Sequence, residues 1–154
     1  MPTRPEPSLP AALTGHAGYL AVLLGQRAQQ LFETSIAPLD LRPAAYDFLA
    51  TVAEGGPLSQ RELADTLRVD AARIMAMTDD LEARGLVARS VDPDDRRRNR
   101  VALTAAGKAL TTRVRRLATK VEGDLLGSLT VDERATLRSL MQRSLGLDAG
   151  RPSS

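Results

Sequence analysis

Apolar residues recur at Leu13, Ala17, Leu20, Leu24, Ala28 and Leu31, with a second line through His16 and Leu23. Spacings of three and four put them on one broad side of a helix, so the pattern predicts a helix from Ala11 to about Ile36, ended by Pro38. Leu41-Arg-Pro43 opens the next helix, since proline is tolerated in a first turn. Tyr46, Leu49 and Val52 form its apolar face, and Gly55-Gly-Pro57 stops it. Ser59 then precedes a short helix from Gln60 to Leu67, with Leu63, Ala64 and Leu67 inward. Glu62, three positions after Ser59, completes a capping box in which hydroxyl and carboxylate satisfy each other's free backbone amides. After the turn Arg68-Val-Asp70, Asp70 is placed to cap a helix from Ala71 to about Arg84 that buries Ile74, Met77, Thr78 and Leu81, with Gly85 as its stop. Two helices joined by three residues make a helix-turn-helix.

Beyond Gly85 the period changes. Leu86 to Val91 and Arg100 to Leu103 read as antiparallel strands, and the segment Asp92-Pro-Asp-Asp-Arg-Arg-Arg-Asn-Arg100 between them reads as a charged hairpin tip. Thr104 begins a long helix with Gly107 in its first turn and an apolar stripe Leu110, Val114, Leu117, Val121 and Leu125. A second capping box, Thr130 with Glu133, opens a last helix with Leu137, Leu140, Met141 and Leu145 on one side. Prolines at positions 2, 5, 7 and 10 make residues 1–10 a flexible arm, and residues 148–154 a tail. The expected fold is mainly α with a small β-hairpin. A winged helix-turn-helix lobe, 41–107, sits between helices 11–40 and 108–147, which form a dimerisation lobe within one domain of residues 11–147.

Composition narrows the function. The chain has 154 residues, 43% hydrophobic and 26% charged, enough to bury a core without staples, and its four aromatics all fall in the first third. No cysteine is present, which excludes disulfides and thiolate metal sites. One histidine, no glycine-rich phosphate loop and no repeated ligand spacing argue against an enzyme, a metal or a cofactor. The apolar run Leu20 to Leu24 is too short to span a bilayer, so the expectation is a cytoplasmic protein without a membrane partner. The formal charge is only +2, but basic residues cluster near the hairpin tip, and local basicity points to nucleic acid.

The segments Leu58-Ser-Gln-Arg-Glu-Leu-Ala64, Asp79-Asp-Leu-Glu-Ala-Arg-Gly-Leu-Val87, Asp92-Pro-Asp-Asp-Arg-Arg97 and Leu103-Thr-Ala-Ala-Gly107 stand in order and at matching spacings. With them the chain resembles the MarR family of bacterial transcription regulators, dimeric winged-helix proteins often released from DNA by small molecules. The resemblance implies a homodimer that binds double-stranded DNA on a pseudo-palindromic operator, most simply as a ligand-responsive repressor. Two departures stand out: Arg68 occupies a turn position that tolerates glycine, and the reading helix opens with Ala71-Ala-Arg-Ile-Met-Ala76, poor in hydrogen-bonding groups.

On this reading Asp70, Ala71, Ala72, Arg73, Met75 and Ala76 meet the major groove, where Arg73 would bind guanine or only phosphate and the apolar side chains would meet thymine methyls. Ser59, Gln60 and Arg61 would meet the DNA backbone. The resemblance places the wing's working pair on Asp95 and Arg97, with Arg96, Arg98, Asn99 and Arg100 beside them and the arginines on phosphates. A carboxylate near the guanidinium would hold it ready for a narrow minor groove. A plain solvated charge run is the other explanation of this segment. Leu110, Val114, Leu117, Val121, Leu125, Leu137, Leu140 and Met141 are the expected dimer surface, though such stripes serve equally as an intramolecular core. His16, Tyr19 and Tyr46 are candidates to hold a small aromatic or anionic effector, with ordinary packing as the alternative. The rival function is a winged helix used only for protein contacts.

Overall fold

The computed structural model describes residues 9–92 and 99–147. The expected arm up to residue 8, wing residues Asp95, Arg96, Arg97 and Arg98, and the tail lie outside the described residues. The chain runs through α1 (Ala11–Thr14), α2 (Ala17–Ile36), a 3-10 turn (Ala37–Leu39), α3 (Pro43–Gly55), β1 (Leu58–Ser59), α4 (Gln60–Leu67) and α5 (Ala71–Ala83). It continues through β2 (Val87–Val91), β3 (Asn99–Leu103), α6 (Ala105–Leu125) and α7 (Val131–Ser144).

Two of these differ from the sequence expectation. The first helix is broken at Gly15 and His16, where His16 takes an extended backbone. The hairpin gains a third strand: β1 pairs antiparallel with β3, Leu58 opposite Val101 and Ser59 opposite Arg100, which makes β3 the centre of the order β1-β3-β2.

The core joins Ile36, Leu41, Phe48, Leu49, Val52, Leu63, Ile74, Leu81, Leu86, Val87, Val101 and Val114. Helix α3 is its hub, packed against α2, α4, α6 and β3. That surround explains why Phe48 is fully buried although it lies off the predicted face of Tyr46, Leu49 and Val52. Helix α2 lies along α6 and buries only Ile36, while α7 buries no residue at all.

The start of β2 is hydrogen-bonded to the start of α6. The Thr104 backbone N–H donates to the Leu86 carbonyl at 3.1 Å, and its hydroxyl donates to Gly85 O at 2.7 Å while accepting from the Gly107 N–H at 3.1 Å. A Cβ on Gly107 would lie 2.0 Å from the Leu86 carbonyl oxygen, so only glycine lets the helix approach this close.

Candidate nucleic-acid interface

The reading unit is built from caps. Ser59 Oγ accepts from the Glu62 N–H at 3.2 Å and Glu62 Oε2 accepts from the Ser59 N–H at 2.8 Å, which starts α4 as the spacing predicts. Arg68 then turns the chain in the left-handed region, φ 54° and ψ 43°, with the Val69 N–H donating to Ala64 O. Asp70 Oδ1 accepts from the Arg73 N–H at 2.8 Å and starts α5.

Ile74, Thr78 and Leu81 hold α5 on the core, and the buried Thr78 hydroxyl donates to Ile74 O at 2.7 Å. At 100° per residue the opposite side presents Ala72, Ala76 and Asp79, with Arg73 and Met75 on its flanks. All five are exposed, Met75 by 53%. The outward face of the first two turns is therefore methyl and thioether with a single guanidinium. Gln60 is half-buried and Arg61 exposed at the start of α4, on the same lobe.

The acidic end of α5 is not left bare toward phosphate. Arg89 of β2 bridges Asp79 and Glu82, and its backbone N–H donates to Glu82 Oε1 at 3.0 Å. The hydrogen bond to Asp79 is the largest influence and, helped by that to Glu82, holds the Arg89 guanidinium above its ordinary pKa against the opposing desolvation. Asp80 faces Arg84 at 3.6 Å. Sequence reading missed Arg89, although an arginine two positions after Val87 and a carboxylate one turn from the end of a helix are both in view in the sequence.

At the wing, Arg100, expected on phosphate, donates to acceptors of the protein. Its Nε donates to Asp92 Oδ2 at 2.7 Å and its Nη1 to the Pro57 carbonyl at 3.1 Å, and Asp92 is only 3% exposed. Asn99, at the other side of the wing neck, is exposed.

The proposed effector trio does not converge within one protomer. His16 is exposed just before α2, Tyr19 follows it, and Tyr46 packs against Phe32 with the rings tilted by 57° and their centroids 5.4 Å apart. Residues 19 and 32 are about 20 Å apart along α2 at 1.5 Å per residue, too far for one small ligand. Two cavities of about 410 Å³ lie elsewhere: one between the start of α3 and α5, beside Arg42, Arg73 and Asp80, and one between α3, β3 and α6. The second is walled by Val52, Pro57 and Leu103 and edged by Lys108 and Arg115.

The dimer stripe also divides. Val114 is fully buried and Val121 nearly so, and the half-buried Leu110 and Leu117 pack against the protomer's own core, so this part of the stripe serves the intramolecular core. Leu125 and Leu137 are half-buried, and Leu140 and Met141 are exposed. No helix among the described residues is long and apolar enough to cross a membrane, and no cluster of metal-binding side chains occurs among them.

A capped helix-turn-helix followed by a hairpin defines a winged helix-turn-helix DNA-binding protein. A profile of the MarR family matches residues 39–98. The chain is 31% identical over 144 residues to the HTH-type transcriptional repressor NicR of Pseudomonas putida, covering 94% of this chain and 91% of that one. It is 30% identical over 129 residues to the multiple antibiotic resistance protein MarR of Escherichia coli, covering 83% and 90%. A mutant of that protein complexed with operator DNA superposes with a TM-score of 0.73 at 28% identity, over 90% of this chain and 99% of that one. CouR of Rhodococcus jostii, bound to p-coumaroyl-CoA, superposes with a TM-score of 0.77 at 26% identity, over 93% and 100%. The chain belongs to the MarR family and is a DNA-binding transcriptional regulator.

Proposed function

We propose that the protein is a ligand-responsive repressor that binds a pseudo-palindromic operator as a homodimer, with no catalytic step. The observation that carries this reading is the exposed first half of α5, capped by Asp70 and held on the core by Ile74, Thr78 and Leu81 so that its free face points away from the protein. A rigid helix with an exposed N-terminal half suits insertion into the major groove, and two copies related by a two-fold axis read half-sites about one turn apart. Arg73 supplies hydrogen bonds there and Ala72, Met75 and Ala76 meet thymine methyls. Ser59, Gln60 and Arg61 meet the DNA backbone, while Asp95 and Arg97 act at the minor groove and Arg96 and Arg98 on phosphates.

The relatives support the rest of the reading. A mutant of E. coli MarR is complexed with operator DNA, and CouR is bound to p-coumaroyl-CoA. For this chain an anionic effector with an apolar body suits the cavity between Val52, Leu103, Lys108 and Arg115 better than the dispersed trio His16, Tyr19 and Tyr46.

The test is fluorescence anisotropy on a duplex that the wild-type chain selects from a random library. Arg97→Ala is expected to weaken binding and to lower the slope of log K against log salt by about one unit for each phosphate charge no longer neutralised. Arg73→Ala is expected to relax preference at one symmetric base pair at a cost of about 1–3 kcal/mol if it binds guanine, and to weaken all sequences equally if it binds phosphate. The methyl-rich face of α5 also suits a protein partner. Retention on heparin or duplex DNA that falls steeply with salt supports the DNA reader, and indifference to DNA would favour that second reading.

A further inference from the structure

We propose that Asp92, Arg100 and the Pro57 carbonyl form a latch that aims the wing, so that Arg100 is a positioning residue rather than a phosphate ligand. This rests on the DNA-reading function above. Arg100 stands on the central strand β3, opposite Ser90 of β2 on one side and Ser59 of β1 on the other. Its guanidinium reaches two acceptors on two different segments: Asp92 at the exit of β2, by Nε at 2.7 Å, and Pro57 in the loop before β1, by Nη1 at 3.1 Å. The neck of the segment 93–98 is thereby tied both to itself and to the end of α3. The Asp92 side chain is 5% exposed, so its charge depends on protein donors such as this one rather than on water. A planar fork with fixed bond directions sets an angle between the two acceptors, which a lysine's single point charge does not reproduce. The latch thereby fixes the direction in which the chain leaves β2 at Asp92 and re-enters β3 at Asn99.

The latch and a phosphate ligand predict opposite results. The full chain and its Arg100→Lys, Arg100→Gln, Asp92→Asn and Asp92→Asn/Arg100→Lys variants are titrated at several salt concentrations against the selected duplex and a scrambled one, with circular dichroism confirming the fold at the assay temperature. Arg100→Lys is expected to weaken binding to the selected duplex on the order of tenfold, to spare the scrambled duplex, and to leave the salt slope unchanged. Asp92→Asn is expected to weaken selected binding too, although it removes a negative charge that by itself repels DNA. The double variant should be no weaker than the poorer single one. Wild-type affinity for Arg100→Lys, a slope lowered by about one unit in Arg100→Gln, or tighter binding by Asp92→Asn each overturns the latch. Should Asp92→Asn unfold, the lysine variant decides alone. Failure of the wild-type chain to select any duplex would instead sink the DNA-reading function, and the latch with it.

Discussion

Arg68 is the residue at which sequence and backbone disagree most. It closes α4 in the left-handed region, where a Cβ crowds the carbonyl oxygen and glycine does not. Arg68→Gly is therefore expected to stabilise the protein by up to about 1 kcal/mol, part of the relief being offset by glycine's freer unfolded chain. Urea denaturation would show it as a raised midpoint at constant slope, and a lowered midpoint would show that the arginine has a compensating interaction. Gly107 is the converse case. An added methyl would meet the Leu86 carbonyl, which cannot retreat because it accepts from the Thr104 N–H. Gly107→Ala should cost about 1–3 kcal/mol or more, read in the same titration. Both residues were legible by position, Arg68 in a turn and Gly107 in a first helical turn. The reason for Gly107 was not, because the clash comes from Leu86, far back along the chain. The same limit hid the partners of Arg89 and Arg100: each ion pair spans a fold-dependent approach, whereas the caps of Ser59, Asp70, Thr104 and Thr130 lie three residues from their partners and were readable in advance or nearly so.

At the scale of elements, local signals were reliable and non-local ones were not. Both capping boxes fixed helix starts to the residue. The third strand escaped because two residues, Leu58 and Ser59, cannot show an alternating pattern, and it exists only because β3 offers an edge. The break at His16 escaped because apolar spacing runs unchanged across it. The cap of α7 also makes a pH prediction. The Thr130 backbone N–H donates to Glu133 Oε2 at 2.7 Å, and this bond, followed by that of the Thr130 hydroxyl, holds the Glu133 carboxyl below its ordinary pKa. A depressed pKa means that the unfolded state binds the proton more tightly. The cap's contribution is then fully present above the unfolded carboxylate value and is lost as pH falls through the folded one. Helicity of α7 should fray in that acid window, seen as accelerated amide exchange at residues 131–134, and Glu133→Gln should remove the pH dependence of the fraying. Fraying that is identical in both proteins would assign the titration to another group.

At the scale of the molecule, burial is uneven in a way that points to a second copy. The winged lobe is closed around α3, but α7 buries nothing, and it and the residues just after it expose Leu140, Met141, Leu145 and Leu147. At the other end α1 and α2 expose Leu13, Leu20 and Val22. Apolar surface on both terminal helices is what an isologous interface needs, and it leaves the inner stripe of α6, Val114 above all, to the protomer's core. The two surfaces make opposite predictions. Leu140→Glu replaces a half-exposed side chain, so the protomer should keep its circular dichroism and melt independently of concentration. Sedimentation should show the monomer mass at micromolar concentration. Val114→Glu places a carboxylate in the core and should unfold the protomer itself. Because each protomer carries one reading helix, the Leu140→Glu monomer loses the second half-site, and with it the gain that tethering two modules gives, on the order of a hundred-fold in operator affinity. A Leu140→Glu protein that still sediments as a dimer would move the interface off α7. One that sediments as a monomer yet binds the operator at wild-type strength would detach DNA reading from dimerisation altogether.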